Sequence, residues 1–237
     1  MCNLAMESPA RKDAESLRDE KVKVLKAISP IEVKNIVRGQ FRGYLDEKGV
    51  AAGSKTETYA ALELEIQSWR WAGVPFYIRA GKNMPVTCTE VITRLRYPPA
   101  TKFMDASISQ NYIRFRISPD TTIAMGVSVA AAEDESKRDA VELVASRQHQ
   151  REEIEPYERV LTDAMIGDSS IFARQDYVEE AWRIVDPVMK ADTPIYSYEP
   201  HSWGPKEAEA LVPPGGWVEP VVDGDVTDAA GQSVARK

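Results

Sequence analysis

Two consecutive strand signals in residues 56–85 constrain the fold of this chain more than any other part of its sequence. Leu62, Leu64 and Ile66 alternate with charged or amide side chains. This period of two is typical of a strand that buries one face and exposes the other. After a short turn, the apolar residues 76–78 begin a second strand. The segment therefore predicts two neighbouring strands joined by a turn.

The second of these strands ends at Gly81 and Lys82. A lysine at a strand tip, after a glycine with no side chain to block approach, can present its ammonium group to a phosphate or a sugar hydroxyl. The alternative is an ordinary surface lysine, which is the usual state of this residue type. Lys82 is the candidate binding residue of this segment, and both interpretations stay open.

Alternating patterns continue through the middle of the chain. They predict further strands in residues 35–44, 91–97, 112–117, 121–130 and 141–145. The connections between them are too short for regular crossover helices, which favours a large, mainly antiparallel sheet. Together with the helices below, the pattern predicts an α+β fold with the helices packed on one face of the sheet.

Three segments have helical periodicity. The first begins at Asp13, which can cap a helix, and the second runs from Pro156 to Gly167. The third begins near Gln175, and we predict turns beyond Pro187. Their apolar stripes are expected to face the sheet. For the last two helices these stripes are Tyr157, Val160, Leu161, Ala164 and Met165, and Val178, Ala181, Trp182, Val185 and Met189.

The overall composition disfavours several classes of protein. The 237 residues carry a net charge of −7, which argues against a nucleic-acid partner, and no apolar run is long enough to span a membrane. Cys2 and Cys88 are far apart and are expected to be reduced, so the cytoplasm is the predicted location. His149 and His201 are both expected in loops, which disfavours a histidine-based triad or zinc site.

The arginine pattern allows two interpretations, and three common functional motifs are absent from the sequence. Four arginines on neighbouring predicted strands can share a polar face, which is either a solvent or partner surface or a cluster that binds an anion. They are Arg94, Arg96, Arg114 and Arg116. The sequence contains no dinucleotide fingerprint, no Walker-type phosphate loop and no nucleophile elbow.

The segment RWAGVPFYIRAGK at residues 70–82 is similar to the pattern R-W-x-G-V-P-F-x-x-R-x-G-K of the glucose-6-phosphate dehydrogenase family. SKTETYAAL, at residues 54–62, resembles the family segment that comes before it. Further matches follow the family order and extend the resemblance over residues 1–217. These are LAMESP, LRDEKVKVLKAISP, VRGQF, GYLDEKGV, PYERVLTDAMIGD, EEAWRIVDPVM and SWGPKEAEAL.

The resemblance implies that residues 1–222 are the C-terminal, sheet-bearing domain of that family, with a flexible tail at 223–237. It also implies that the N-terminal dinucleotide-binding domain, with the catalytic Asp and His, is absent from this chain, so no catalytic residue is assigned. Lys82 matches the family lysine that contacts the phosphate of the substrate. Thr87 and Ser118 replace two other substrate contacts of the family.

The cofactor expectation also comes from the resemblance. Animal members of the family bind a second, structural NADP through basic residues, two of which match Arg79 and Arg116. Trp203 and Ile92 stand where other such residues would be. NADP is therefore expected in the complete enzyme, and no NADP site is expected in this chain alone.

The family activity implies a function for the whole enzyme. That enzyme oxidises glucose 6-phosphate to 6-phosphogluconolactone in the oxidative pentose phosphate pathway, and this chain alone is expected to be inactive. The implied partners are a second copy bound through the sheet, a separate N-terminal dinucleotide-binding domain, and glucose 6-phosphate. No nucleic-acid or membrane partner is expected. The alternative is a non-catalytic dimerisation or regulatory scaffold derived from the same enzyme.

Overall fold

Two units, each built on its own four-stranded sheet, make up the chain. The computed structural model describes residues 1–97, 110–131, 138–146 and 156–220, with two short strands at 226–227 and 233–234. The first unit contains Met1–Pro85 and Ile154–Trp217, and the second contains Val86–Glu153 and Val218–Lys237. His149, the connection at 132–137 and most of the predicted tail at 223–237 lie outside the described residues.

The longer elements follow the order that the sequence predicts. The helices are α1 (Cys2–Ala5), α2 (Ala14–Lys26), α3 (Pro156–Ile166) and α4 (Gln175–Lys190). The strands are β1 (Ile36–Phe41), β2 (Tyr59–Glu65), β3 (Pro75–Gly81), β4 (Thr89–Arg94), β5 (Tyr112–Ser118), β6 (Thr122–Ala130), β7 (Arg138–Ser146) and β8 (Ile195–Tyr198). Short 3-10 helices occupy Val33–Asn35, Tyr44–Asp46 and Lys206–Leu211.

The sheet of the first unit has the strand order β3-β2-β1-β8. β2 pairs antiparallel with both β1 and β3, whereas β1 pairs parallel with β8. The apolar residues of β2 turn toward the core, as the alternation predicted, since Leu64 and the following Ile66 are buried. β8 is missing from the sequence prediction, which has only turns beyond Pro187. It is four residues long and is flanked by Pro194 and Pro200, so the local signal favours a turn.

Helices cover one face of this sheet, as predicted. Apolar residues of α1, α2 and α4 pack with Leu64 and Ile66 into one buried cluster. The cap of α2 is also as predicted, since the Asp13 carboxylate accepts a hydrogen bond of 2.7 Å from the Ser16 amide. The other sheet face packs against the 3-10 helix Lys206–Leu211. Its buried cluster consists of Val37, Phe41, Tyr59, Ala61, Tyr198, Ala208 and Leu211.

The buried stripe of α4 differs from the prediction. Ala181 and Val185 of the predicted stripe pack against the core cluster together with the buried Ile184 and Val188, whereas Val178, Trp182 and Met189 are exposed. The apolar surface of α4 is wider than the strip that the sheet covers, so sequence spacing alone does not determine which part turns inward. The helix also continues through Pro187 to Lys190, because the complete burial of Val188 holds its last turn against the core.

The stripe of α3 is helical, as predicted, but it does not face a core. The helix runs from Pro156 to Ile166, and none of its residues is buried. Tyr157, Leu161 and Met165 are all more than half exposed. The prediction that this stripe packs on the sheet is therefore wrong for this chain, because amphipathic spacing identifies an apolar face without identifying what covers it.

The second unit contains an entirely antiparallel sheet with the order β4-β5-β6-β7. The strands predicted at 91–97, 112–117, 121–130 and 141–145 are confirmed, with ends that shift by a few residues. The α+β class is likewise confirmed, and hydrogen bonds group the strands into two four-stranded sheets. In the described ranges, no helix has both the length and the apolar composition needed to cross a bilayer.

Candidate binding site at the tip of strand β3

Lys82 follows directly after the last residue of β3 and is exposed. No carboxylate among the described residues forms an ion pair with its ammonium group. Its backbone amide donates a hydrogen bond of 2.8 Å to the carbonyl of Thr58, which extends the pairing of β2 and β3 by one residue. The strand therefore presents an accessible positive charge on an ordered backbone.

Two further hydrogen bonds hold the backbone at this tip. The Tyr198 hydroxyl donates to the Lys82 carbonyl over 2.7 Å. The amide of His201 donates to the Asn83 carbonyl over 2.6 Å. Asn83 and His201 both have positive φ angles, of 49° and 62°, and the two turns that meet here are tied together by this last bond. His201 lies in a turn, as predicted, and it contributes its backbone to the site.

Gly81 has a packing role that the sequence does not reveal. A Cβ atom at this position would lie 2.9 Å from the Tyr59 ring and 3.0 Å from the Met84 sulphur. The absence of a side chain therefore lets the strand lie against the Tyr59 ring just before Lys82. The sequence analysis explained this glycine by the space that a ligand needs to approach Lys82. The structure gives a second reason, which is close contact with the core.

Tyr59 is the most deeply buried of the aromatic residues below the tip. Its hydroxyl is buried and has no hydrogen-bond partner among the described residues. Burial raises the pKa of Tyr59 to about 12, while the nearby Arg79 lowers it slightly and Tyr198 raises it slightly. The side chain therefore stays neutral, and its unpaired hydroxyl is destabilising.

We expect Tyr59→Phe to raise the free energy of unfolding by about 1 kcal/mol, because it removes a buried, unpaired hydroxyl and keeps the ring. The folded pKa lies above the ordinary value of 10.0, so Tyr59 ionises first in the unfolded chain, and the free energy of unfolding falls as the pH rises from about 10 to about 12. The advantage of the variant should therefore grow over that range. Urea unfolding at pH 7 and at alkaline pH measures both effects, and a less stable variant would contradict the assignment.

Arg79, which precedes the tip on β3, lies between two indole rings. Its guanidinium carbon is 4.5 Å from the Trp203 ring centre and 4.8 Å from that of Trp217. Tyr77 packs edge-on against Trp217, with 6.4 Å between ring centres. These distances are typical of cation–π contacts, which fix the guanidinium group against the edge of the sheet.

The arginines of the second unit form ion pairs with carboxylates. Glu90 pairs with Arg114 at 3.2 Å and with Arg116 at 3.0 Å. Arg114 also pairs with Glu142 at 2.7 Å, and the Tyr112 hydroxyl donates to the same carboxylate over 2.8 Å. Burial, followed by the bond to Glu142, raises the pKa of Tyr112 to about 12. These pairs compensate the charges of Arg114 and Arg116, which disfavours the anion-cluster interpretation for these two residues.

The two family contacts that are replaced in this chain lie on the second unit. Thr87 is exposed and precedes β4, and Ser118 is the exposed last residue of β5. The Thr87 side chain cannot carry the positive charge of the basic residue that the family resemblance implies at this position, and Ser118 stands where the resemblance implies a glutamine. In the part of the chain that the structure describes, no group of three His, Cys, Asp or Glu residues is arranged to hold a metal ion.

The Lys82 site is a surface feature of the first unit. A cavity of about 410 Å³ lies elsewhere in this unit, and Lys82 does not line it. Its lining residues are Gln40, Phe41, Arg42, Gly43, Tyr44, Leu45, Asp46, Ser54, Lys55, Ile195 and Ser197. The residues that support Lys82 from below, Thr58 and Tyr198, were not predicted as part of a site. Spacing in the sequence does not reveal this supporting role, because both residues contribute through contacts between distant segments.

Comparison with known proteins shows to which family the chain belongs. Residues 1–217 match the family model described as glucose-6-phosphate dehydrogenase, C-terminal domain. Over 218 residues the chain is 41% identical to glucose-6-phosphate 1-dehydrogenase 1 of Mycobacterium tuberculosis (strain ATCC 25618 / H37Rv), a match that covers 88% of this chain and 45% of that protein. The chain belongs to the glucose-6-phosphate dehydrogenase family and corresponds to its C-terminal domain.

Solved structures agree with this assignment. The crystal structure of glucose-6-phosphate 1-dehydrogenase from Mycobacterium avium matches with a TM-score of 0.84 and 40% identity, covering 93% of this chain and 48% of that one. A glucose-6-phosphate dehydrogenase in complex with its substrate glucose-6-phosphate matches with a TM-score of 0.77 and 33% identity, covering 88% and 46%. The chain thus spans about half the length of the relatives that it matches.

Proposed function

We propose that this chain is the substrate-binding and dimerisation half of an NADP-dependent glucose-6-phosphate dehydrogenase. The observation that carries the proposal is Lys82, an exposed lysine without an ion pair among the described residues, at an ordered strand tip of a chain from this family. We assign its ammonium group to the phosphate of glucose 6-phosphate. A lysine is a compact point charge that suits phosphate oxygens.

The proposed reaction oxidises C1 of glucose 6-phosphate to the lactone. The C1 hydroxyl proton passes to a general base while the C1–H bond breaks and its hydride leaves, so that C1 becomes a carbonyl carbon. NADP⁺ supplies the hydride acceptor when bound. We place the base and the NADP site on the other half of the enzyme. Lys82 acts at the far end of the sugar, where holding the phosphate orients C1.

The exposed apolar stripe of α3 is an argument for a partner domain that binds there. Tyr157, Leu161 and Met165 lie four residues apart on one helical face, and all are more than half exposed. A continuous apolar stripe of this kind is more stable when it is covered. We propose that the dinucleotide-binding half of the enzyme covers it, which agrees with a chain that spans about half of its relatives.

Complementation tests the proposal. The chain is mixed with the N-terminal dinucleotide-binding domain of the Mycobacterium tuberculosis relative, and NADPH formation from NADP⁺ and glucose 6-phosphate is followed by absorbance. We expect activity in the mixture and none from either part alone. Circular dichroism and co-elution check that both parts are folded and associated. An associated, folded but inactive mixture would overturn the proposal and favour the scaffold alternative.

The exposed apolar face of the second sheet is an argument for the proposed homodimer. Ile113 lies opposite Met125, and Met125 lies opposite Leu143, so these three side chains share one face across β5, β6 and β7. Leu143 is 62% exposed and Met125 is 45% exposed. We propose that this apolar face binds the same face of a second copy, because a self-complementary patch closes naturally into a two-fold dimer.

We expect Leu143→Glu to convert the dimer into a monomer, because it places two charges in the apolar contact. Light scattering at several protein concentrations measures the mass. Val144→Glu is the matched control, since Val144 is the next residue of β7, is 50% exposed and points to the opposite face. A Leu143→Glu chain that remains dimeric would show that the contact lies elsewhere.

Two finer expectations from the sequence stay predictions. The cytoplasmic location is consistent with free Cys2 and Cys88. That this chain alone holds no NADP is tested by titrating NADP⁺ into it, with binding as the contrary result. The contacts of Arg79 with two tryptophans and of Arg116 with Glu90 already occupy these guanidinium groups in part.

A further inference from the structure

A chain of hydrogen bonds ends at the backbone of Lys82. The amide of Phe41 donates to the Thr58 hydroxyl oxygen over 3.0 Å. The Thr58 hydroxyl lies 3.0 Å from the Tyr198 hydroxyl, and the latter lies 2.7 Å from the Lys82 carbonyl oxygen. These four groups come from segments that are far apart in the sequence.

The direction of this chain follows from the chemistry of its two ends. A backbone amide can only donate and a carbonyl can only accept. The Tyr198 hydroxyl has one proton, which it donates to the Lys82 carbonyl, so in its bond with Thr58 the threonine hydroxyl is the donor. Bonds arranged head to tail in this way polarise and strengthen one another.

The Tyr198 ring is fixed as firmly as its hydroxyl. Only 3% of the residue is exposed. Its ring centre lies 5.5 Å from that of Tyr59 and 6.4 Å from that of Phe41, in tilted and edge-on contacts. Its hydroxyl also lies 3.2 Å from the Thr58 carbonyl, so both backbone segments beside the tip are within its reach.

We propose that Tyr198 is a positioning residue for Lys82, whose hydroxyl fixes the strand tip from which the lysine reaches the substrate phosphate. This inference rests on the proposed function of Lys82. A lysine side chain has four rotatable bonds, so its ammonium group is placed accurately only if the backbone below it is fixed. Fixing that backbone before the substrate arrives lowers the entropy that binding costs. Burial raises the pKa of Tyr198 above its ordinary value, which keeps the hydroxyl protonated as a donor.

The first test measures the tip itself in the full-length chain. We expect Tyr198→Phe to increase hydrogen exchange at the Lys82 amide about fivefold relative to the amides of β1 and β2, which is the effect of losing one hydrogen bond. Tyr196→Phe is the matched control. Tyr196 lies two residues earlier on the same strand and packs against the same cluster, but its side-chain hydroxyl forms no hydrogen bond with the described residues. Equal exchange at Lys82 in the two variants overturns the inference, whether or not the enzyme proposal holds.

The second test separates positioning from a purely structural role. In the complemented enzyme, we expect Tyr198→Phe to raise the KM for glucose 6-phosphate about fivefold and to leave the KM for NADP⁺ unchanged. Tyr196→Phe should change neither. A uniform loss of activity without a change in KM overturns the inference. Failure of the proposed function gives a different result, namely an increase in Lys82 exchange in Tyr198→Phe with no activity in the unsubstituted mixture.

Discussion

Lys82→Ala is expected to raise the KM of the complemented enzyme for glucose 6-phosphate by about 10- to 100-fold. Hydrogen bonds to charged groups contribute about 1.5–3 kcal/mol, and each 1.4 kcal/mol is a factor of ten in affinity. In the proposed function Lys82 contacts the phosphate, far from the reacting C1, so kcat should fall less than kcat/KM. Steady-state rates at varied glucose 6-phosphate measure both constants. The KM for NADP⁺ should not change.

Two companion variants make this result specific. Lys48 is another exposed lysine of the first unit without an ion pair among the described residues, so Lys48→Ala should leave both constants unchanged. Lys82→Arg keeps the charge and should recover part of the affinity, since the longer, planar group meets the phosphate with different geometry. If Lys82→Ala has the same KM as Lys48→Ala, Lys82 is an ordinary surface lysine.

Gly204→Ala is expected to lower the free energy of unfolding by about 3 kcal/mol or more. Gly204 has a φ of +107°, which is unfavourable for any residue with a side chain. A Cβ atom there would overlap the Tyr59 ring and lie 2.8 Å from its hydroxyl oxygen. Tyr59 is only 1% exposed and packs on Tyr198, so the ring has no room to move. Urea unfolding of the chain measures the loss.

Gly43→Ala separates the two causes of this destabilisation. Gly43 has a similar φ of +95°, but nothing lies within 4 Å of the place where its Cβ would be. It should therefore cost only the backbone strain of about 1–2 kcal/mol. Equal losses in the two variants would show that the Tyr59 ring yields and that strain alone matters. Because Tyr59 and Tyr198 support the tip together, we also expect Gly204→Ala to weaken glucose 6-phosphate binding.

Local patterns were sufficient to predict most elements of this protein. Residues two apart predicted the strands that carry Leu64 and Arg114, because a strand with two different environments needs alternating side chains. The cap at Asp13 marked a helix start, since a carboxylate there bonds to a free amide of the first turn. The position of Lys82 at a strand tip followed from the apolar run that ends just before it.

The same patterns did not predict which surfaces come together. β8 was missed because a four-residue strand between prolines has almost no local signal and is held by its pairing with β1. The stripes of α3 and α4 were assigned to the core, but Tyr157 and Trp182 are exposed. Periodicity shows that a helix has an apolar face, whereas burial depends on whether another element of the same chain covers it.

The sequence by itself determined the α+β class, most elements, the family and the candidate residue Lys82, because these depend on near neighbours or on motifs. The tertiary structure decided the grouping of the strands into two sheets and the partners of the arginines. It also decided the support of Lys82 by Tyr198, which is 116 residues away. Contacts of this kind depend on the three-dimensional meeting of segments whose spacing in the sequence follows no period, so only the folded chain reveals them.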